Sequence, residues 1–300
     1  MAENKTCVSI VLPVFNGEKL IGACLESIAN LNYPKSNFEL IVVDNGSTDR
    51  TVEIIKNFQT NNSLETKLYF QKIKGSYAAR NVGVRSAIGD IIVFTDADCI
   101  VDKDWLINIV QYFSDDTMGG VAGEILPGGG DSLVERYSTV EEVLSQKRTF
   151  NSKFLPYAQT ANAAYRKELF SRIGYFDEVI SGGDADYSWR MQLETDYKMG
   201  YAEDAVVLHR HRTDIKGLFK QRFKHGYGFI LIRNKYKDYQ NRQEDALVTS
   251  KKGSHGRIAR LETILRQKGL SMLLPILVNA CGFNLGKLYA RFTLLTNKIE

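Results

Sequence analysis

Two aspartates separated by one residue, Asp96 and Asp98, directly follow an apolar run at 91–95. Paired carboxylates at the end of a buried strand repel each other, and a bound divalent cation relieves that repulsion. Hard oxygen ligands suit Mg²⁺ or Mn²⁺, and both ions bridge phosphate oxygens. A D-x-D motif alone also occurs in ordinary turns. On this motif by itself, a metal site and a plain turn therefore both stay open.

Two further groups of polar residues carry functional potential. A small-residue loop at 180–185 contains Asp184, and Asp186 follows at the start of a predicted helix. His209 and His211 belong to an H-R-H run that follows a predicted strand at 201–208. A lone histidine is usually structural, but imidazole at a strand end is also a good ligand for Mn²⁺.

The first half of the chain alternates between strand-like and helix-like segments. Apolar runs at 8–14, 38–43, 68–71 and 91–95 predict strands, and the segments between them have helical spacing, with Ser47 and Thr48 as helix caps. This alternation predicts a mostly parallel α/β sheet. Ligands of such sheets bind beyond the carboxyl ends of the strands. Asn16, residues 44–47 and residues 96–98 lie at those ends, which locates the site.

The second half is less regular. The glycine-rich segment 119–130 is expected to end the first half, 132–149 is predicted as helix, and 158–166 as a strand that returns to the sheet. Residues 215–236 form an amphipathic helix with an apolar face and a separate row of lysines, namely Lys216, Lys220 and Lys224. Residues 238–256 are polar and loop-like.

Charge is distributed unevenly along the 300 residues. The net charge is +11 over 210–268 and −9 over 1–209, so the basic segment is expected to meet phosphates of a nucleotide or of anionic lipid. A solvated basic helix is the alternative. Nucleic acid is disfavoured because no interleaved aromatic and basic motif is present. The chain start lacks a secretory signal pattern, and the four scattered cysteines indicate reduced thiols.

Several ordered motifs together resemble glycosyltransferase family 2. The resemblance rests on VSIVLPVFNGEKLIGACLESIANLNYP, IVVDNGSTDRTVEI, GSYAARNVGVRSAIGDIIVFTDADC, TANAAYRKELFSRIGYFDE, GGDADYSWRMQLETDYKMGY and AVVLHRHR, and it covers residues 6–212. It implies a GT-A-like, Rossmann-like fold with a mostly parallel sheet flanked by helices. It also implies metal-dependent, inverting transfer of a sugar from a nucleoside-diphosphate sugar.

The resemblance assigns roles to matching positions. It implies that the nucleotide sugar is bound by residues of the strand ends and of the A-A-R-N motif: Pro13, Val14, Phe15, Asn16, Asp44, Asn45, Arg80 and Asp96. It implies that Mn²⁺ or Mg²⁺ is held by Asp98 and His209, with His211 as the competitor. A turn-forming role for Asp44 and a structural salt bridge for Arg80 remain the alternatives.

Asp184 matches the carboxylate that family members use as general base. Relatives usually have Glu-Asp here, whereas this chain has Gly183-Asp184-Ala185-Asp186, so Asp186 stays open as the base. Asp186 and Arg190 are expected to pair and to hold the helix. The Q-x-x-R-W motif of polymerising members is absent, which favours transfer of a single sugar. Arg222 is expected either to approach the donor phosphates or to lie on a solvated face.

These observations predict a catalytic domain at 1–212, with a nucleotide-binding half at 1–118 and an acceptor half at 119–212. A basic helical extension follows at 213–300. Its apolar run at 270–285 would span only ~24 Å as a helix, short of a ~30 Å hydrocarbon core. We therefore expect an interfacial membrane anchor, or a helix packed on the body or in a homodimer.

The sequence thus predicts a cytoplasmic glycosyltransferase, placed at the inner face of the cell membrane if the extension binds lipid. Its acceptor is expected to be a hydroxyl of a glycan or of a lipid-linked molecule. The alternatives are a nucleotidyltransferase that makes nucleotide sugars and a non-catalytic module that binds nucleotide sugars or glycans.

Overall fold

The computed structural model describes residues 7–178, 181–240 and 270–296. The chain divides into two compact units. The first comprises residues 1–128, 144–179 and 183–210, and the second comprises residues 129–143, 180–182 and 211–300. The predicted polar loop at 238–256 lies outside the described residues from position 241 onward.

The first unit contains one eight-stranded sheet in the order β3-β2-β1-β4-β7-β6-β8-β5. Four of the pairings are parallel and three are antiparallel, so the sheet is mixed, and its continuous parallel part is β3-β2-β1-β4. The strands are β1 (Val8–Val14), β2 (Phe38–Asp44), β3 (Thr66–Phe70), β4 (Ile91–Thr95), β5 (Cys99–Val101), β6 (Met118–Pro127), β7 (Asn162–Arg166) and β8 (Lys198–His209).

Helices cover both faces of this sheet. Alternate residues of β1 enter separate apolar clusters, with Ile10 and Leu12 in one and Val11 in the other. Both faces of β1 are therefore buried, which is the reason that the strand reads as a continuous apolar run. The helices of the unit are α1 (Ile21–Ala29), α2 (Thr51–Asn61), α3 (Ser76–Ser86), α4 (Trp105–Val110), α6 (Gln146–Phe150), α7 (Glu168–Arg172) and α8 (Gly183–Glu194), with 3₁₀ turns at Lys35–Asn37 and Gln111–Ser114.

Most of the glycine-rich segment, which we expected to end the nucleotide-binding half of the chain, is a strand. It forms β6, which pairs with β7 and β8 in the middle of the sheet. Glycine is needed there because a Cβ atom at Gly123 would lie 2.4 Å from the Asn162 amide. Asn162 holds that place by donating to the carbonyls of Glu124 and Ala205, both at 2.7 Å. Glycine in this strand therefore marks a close approach of a neighbouring side chain.

The second unit is helical in its described residues. It contains α5 (Leu133–Val140), α9 (Ile215–Lys235), a 3₁₀ turn at Leu270–Met272 and α10 (Leu273–Thr296). A small core forms where Val134 and Tyr137 of α5 meet Leu218 of α9 and Met272. The long predicted helix at 132–149 was wrong, because α5 ends at Val140 and α6 starts at Gln146.

Helices α9 and α10 pack at very close range. A Cβ atom at Gly286 would lie 2.0 Å from the Phe223 carbonyl oxygen, and one at Gly282 would lie 2.9 Å from that of Phe219. A step of one turn along α9 thus matches a step of one turn along α10, so the two helices run in the same direction. Small residues allow such backbone contact between helices.

The predicted length of the apolar C-terminal helix was also wrong. Leu288, Phe292 and Leu295 continue its apolar pattern, and the helix runs for 24 residues, about 36 Å. By length and composition it could cross a membrane, and among the described residues it is the one helix that passes this test. Only 22% of its most apolar window is buried inside the protein.

Candidate active site

The D-x-D motif lies where β4 ends, and the short strand β5 brings it to His209. In the β5–β8 ladder Cys99 is opposite His209, and the backbone N–H of Arg210 donates to the Asp98 carbonyl at 2.9 Å. This register places Asp98 Oδ1 3.4 Å from His209 Nε2. Asp98 and His209 are therefore neighbours although 110 residues separate them in the sequence.

These side chains fit a divalent cation. Ligand atoms of Asp98, Cys99 and His209 all lie within 4.8 Å of one another. Asp98 Oδ1 is buried and makes no hydrogen bond within the described part of the chain, which leaves it available to a cation. Burial and the charges of Asp98 and Asp96 raise the pKa of the Cys99 thiol well above its usual range. Oxygen and imidazole donors suit Mn²⁺.

Arg80 reaches the same place from helix α3. Tyr77, Ala79 and Val84 bury one side of α3 against the sheet, which fixes the direction of the arginine. The Arg80 guanidinium is buried, donates through Nη2 to Asp96 Oδ1, and lies 5.5 Å from the centre of the Tyr77 ring. The positive charge of Arg80 thus lies next to Asp96, the first carboxylate of the motif.

Asp184 lies in the first turn of α8, not in a loop, and a helix N-terminus favours a carboxylate. Thr160 Oγ1 donates to Asp184 Oδ1 at 3.0 Å, and the Tyr77 hydroxyl also donates to this carboxylate. Burial raises the pKa of Asp184, and the charge of Asp96 adds to that effect. Arg80 and the two hydroxyl donors oppose it. The result is a carboxyl group with a raised pKa beside the D-x-D motif.

Asp186 has different surroundings. Its side chain is fully buried, and its Oδ2 accepts from Arg190 Nε at 2.9 Å. The other Arg190 nitrogens donate to the carbonyls of Ile173 and Tyr175, at 2.5 and 2.7 Å. The expected Asp186–Arg190 pair is therefore present, and it fastens α8 to the segment that follows α7.

The loops after β1 and β2 are held together by hydrogen bonds through Asn16. Its backbone N–H donates to Ser47 Oγ at 2.8 Å, and its Oδ1 accepts from Thr48 N at 2.9 Å. The prediction that Ser47 and Thr48 cap a helix was wrong, because α2 begins only at Thr51. Pro13 and Val14 are buried at the end of β1, whereas the Phe15 side chain is 55% exposed.

Asp44 and Asn45 are engaged by backbone groups. Asp44 Oδ2 accepts from the N–H groups of Gly46 and Ser47, both at 3.1 Å, so this residue does form a turn. Asn45 Nδ2 donates to the carbonyls of Gln71 and Ile73, and its Oδ1 accepts from Gly75 N at 2.8 Å. Asn45 thereby ties the end of β2 to the loop that precedes α3.

His211 and Arg222 belong to the second unit, where His211 is buried. Arg222 lies over the Phe283 ring at 5.1 Å, and its Nη1 is 3.5 Å from His225 Nδ1. Burial and the neighbouring cations, Arg222 first among them, lower the pKa of His225 to about 4. His225 therefore stays neutral at physiological pH.

Three residues of this site, Tyr77, Cys99 and Thr160, were not predicted as site residues from the sequence. Tyr77 precedes Arg80 by three positions, the spacing of neighbours on a helix face, and that signal could have found it. Cys99 directly follows Asp98, but its register opposite His209 is a property of the sheet. Thr160 gave no signal, because its contact with Asp184 depends on the arrangement of β7 and α8.

The chain is similar in sequence and fold to known proteins. Residues 9–174 match the family described as glycosyl transferase family 2. The glycosyltransferase AglE of Haloferax volcanii is 34% identical over 229 residues, which are 75% of this chain and 73% of AglE. A dolichyl N-acetyl-α-D-glucosaminyl phosphate 3-β-D-2,3-diacetamido-2,3-dideoxy-β-D-glucuronosyltransferase of Methanococcus voltae is 27% identical over 244 residues, 76% and 75% of the two chains.

Among solved structures, the fold resembles the mannosyltransferase PcManGT of Pyrobaculum calidifontis, determined with GDP-Man and Mn²⁺. The TM-score is 0.62 at 22% identity, and the match covers 99% of this chain and 81% of that one. The family match spans more than half of the chain, and it agrees with the predicted resemblance. The chain therefore belongs to glycosyltransferase family 2 and is a nucleotide-sugar-dependent glycosyltransferase with a GT-A-like fold.

Proposed function

We propose that this glycosyltransferase moves one sugar from a nucleoside-diphosphate sugar to a hydroxyl of a glycan or lipid-linked acceptor, with inversion. The observation that carries the proposal is the position of Arg80. This buried cation is paired with Asp96 of the D-x-D motif and also acts on the charge of Asp184. Donor-binding groups and a candidate base therefore converge on one place in the first unit.

Asp184 is the general base of this proposal. Its carboxylate removes the proton from the acceptor hydroxyl while that oxygen attacks the anomeric carbon, and the bond to the diphosphate oxygen breaks on the opposite face. A raised pKa makes the carboxylate a stronger base than a solvated aspartate, and a positioned base contributes ~10²–10⁴-fold. Thr160 and Tyr77 orient the carboxylate and leave its remaining lone pairs for the acceptor.

Asp98 and His209 would hold the divalent cation, and Asp96 and Arg80 would contact the ribose and phosphates of the donor. When bound, the cation neutralises the diphosphate as it leaves. Mn²⁺ is the preferred ion because an imidazole stands among the donor atoms, and Mg²⁺ is the second candidate. The GDP-Man and Mn²⁺ of the PcManGT structure and the UDP-GlcNAc of a Staphylococcus aureus TarS structure support such a donor and metal.

The competing functions fit the site less well. A nucleotidyltransferase would need a glycine-rich, basic loop for a triphosphate near β1. In this chain that loop carries the exposed Phe15, and Asn16 is fastened to the neighbouring loop. A module that only binds sugars would have no use for a half-buried carboxylate with a raised pKa, such as Asp184. We place the enzyme in the cytoplasm, where nucleotide sugars are made.

A screen of nucleoside diphosphates and their sugars by thermal shift, with and without Mn²⁺, tests this function. At least one nucleoside-diphosphate sugar should stabilise the chain in a metal-dependent way, and turnover with an acceptor should release free nucleoside diphosphate. Stabilisation by nucleoside triphosphates with release of pyrophosphate would instead show a nucleotidyltransferase. Donor binding without any release would show a binding module.

A further inference from the structure

One side of helix α10 presents a continuous apolar surface, which we call the leucine stripe. Its residues recur every three or four positions, so they share one side of the helix from the first turn to the last. Leu277, Leu288, Phe292 and Leu295 are each 63–65% exposed. The full stripe consists of Leu274, Leu277, Cys281, Leu285, Leu288, Phe292 and Leu295, all of them exposed.

The opposite side of α10 is used for packing within the second unit. Gly282 and Gly286 lie against the backbone of α9, and Pro275 and Ala290 are buried as well. Apolar residues on the packed side are explained by that contact. That contact does not explain the leucine stripe, which faces away from α9. Large exposed apolar surfaces usually mark a binding site for a partner or a membrane.

Ring contacts show which part of α9 adjoins the leucine stripe. Tyr289, which lies between Leu285 and Phe292 on the helix surface, contacts the rings of Phe223 and Tyr227, each at 5.8 Å. These aromatic residues form the border between the two helices on the side of the stripe. The side of α9 that carries Phe223 and Tyr227 therefore continues the apolar surface.

That side of α9 also carries the lysine row, Lys216, Lys220 and Lys224. Lys220 and Lys224 lie three residues before Phe223 and Tyr227, respectively, and residues at this spacing are neighbours on a helix. All three lysines are exposed. The opposite border between the helices is formed by Phe283, which contacts Arg222 and Phe229. The lysine row and the leucine stripe thus occupy one surface.

We propose that this surface docks the protein on a bilayer that contains anionic lipid, with α10 lying in the plane of the interface. The leucine stripe enters the headgroup and upper acyl region, and the lysine row contacts lipid phosphates. This inference concerns the second unit alone and does not depend on which residues carry out glycosyl transfer.

A spanning orientation fits the charges less well than docking does. Arg291 is exposed on α10, and the adjoining surface of α9 carries Lys220 and Lys224. If α10 crossed the membrane, these cations would enter the hydrocarbon, where each is costly. In an in-plane orientation they remain at the level of the headgroups. The length of α10 alone therefore does not make it a transmembrane helix.

The charges also disfavour a second copy of the chain as the occupant. A symmetric dimer through the leucine stripe would bring the two lysine rows near each other, and like charges repel. Anionic lipid is complementary to both features of the surface, since it supplies an apolar layer beneath a layer of negative charge. The described charges thus favour an anionic bilayer, and not a second copy of the chain, as the partner of this surface.

Co-sedimentation of the full chain with phosphatidylcholine–phosphatidylglycerol vesicles tests the proposal, with pure phosphatidylcholine as the comparison. Binding should require phosphatidylglycerol and should weaken at about 1 M salt, where the Debye length is ~3 Å. Replacement of Lys216, Lys220 and Lys224 by Gln should lower the partition coefficient by on the order of a hundredfold. The same change at Lys56, Lys103 and Lys147, exposed in the first unit, is the matched control and should have a small effect.

Two stripe experiments complete the test. L277E/L288E should lower vesicle binding at least about tenfold, because both side chains leave water on docking. I88E/I107E, at exposed apolar positions of the first unit, should not. A fluorophore on Cys281, in a Cys7→Ser background, should shift to the blue on vesicles and be quenched by nitroxide lipids.

The proposal fails if the chain ignores anionic vesicles at low salt. It also fails if the control lysines matter as much as the lysine row, because the attraction would then be non-specific. A sedimentation coefficient that rises with concentration and is lowered by L277E/L288E, without vesicle binding, would show a dimer instead. Every variant should retain the metal-dependent donor binding of the wild type in solution. Failure of the docking proposal would therefore not count against the proposed transfer reaction.

Discussion

Arg80 and Asp96 form an ion pair in which the cation is almost fully buried, at 4% exposure, whereas the carboxylate is 30% exposed. The arginine therefore supports Asp96 from inside the protein and leaves the outer side of the carboxylate open. Its charge also acts on Asp184, whose pKa it lowers against the effect of burial. One buried cation thus links the donor side of the site to the candidate base.

This link predicts a shift in the pH dependence of transfer. The base must be deprotonated, so kcat should rise with pH through the pKa of Asp184, which burial holds above the usual aspartate value of ~3.9. Arg80→Met removes a positive charge that favours the carboxylate, so the pKa should rise further. The acid limb of kcat, measured with saturating donor, should therefore move to higher pH.

Arg85→Met is the matched control for that experiment. Arg85 is exposed on the same helix and lies over the Tyr175 ring at 4.4 Å. Its replacement should leave the acid limb where it is in the wild-type enzyme. An acid limb that stays in place, or moves to lower pH, in Arg80→Met would show that Arg80 does not tune the base.

The Asp98–His209 pair predicts metal-linked donor binding. Asp98→Ala and His209→Ala should each weaken Mn²⁺-dependent binding of the nucleoside diphosphate by at least about tenfold, because loss of a residue that only supports a metal ligand already costs about that much. Isothermal titration calorimetry with and without Mn²⁺ measures this directly. Asp102→Ala, at an exposed carboxylate a few residues further on, should bind as the wild type does. Unchanged metal dependence in Asp98→Ala would contradict the site.

The buried Asp186–Arg190 pair predicts a loss of stability. Asp186→Asn leaves Arg190 with a neutral partner in a buried position, and loss of one partner of a buried pair costs about 3–5 kcal/mol. Denaturant unfolding should show this loss. Asp184→Asn should be no less stable than the wild type, because it removes a partly buried charge with a raised pKa. The reverse order of stabilities would mean that the two roles had been exchanged.

The regular part of the fold could be predicted from the sequence. Strands β1, β2 and β4 are buried throughout, so each reads as an uninterrupted apolar run with a recognisable end. Their carboxyl ends carry Asn16, Asp44 and Asp96, and a parallel arrangement brings those ends together. Local sequence and known sheet geometry were sufficient for this half of the site.

Contacts between distant segments could not be predicted. Strand β6 was not predicted from its glycine-rich sequence, because the neighbours that require Gly120 and Gly123 come from β7 and β8. The Thr160–Asp184 hydrogen bond and the Cys99–His209 register likewise depend on strands that are far apart in the sequence. The full length of α10 was hidden by Asn284 and Lys287, which interrupt the apolar run, although Lys287 lies over the Phe283 ring and not within the leucine stripe.

The transfer rate of Asp184→Asn, measured beside its donor affinity, tests the proposed mechanism most directly. The substitution keeps the shape of the side chain and removes its ability to take a proton. We expect donor binding like that of the wild type and transfer slower by at least about a hundredfold, the lower end of a general-base effect. Transfer within a few-fold of the wild-type rate would contradict the assignment of Asp184 as the base.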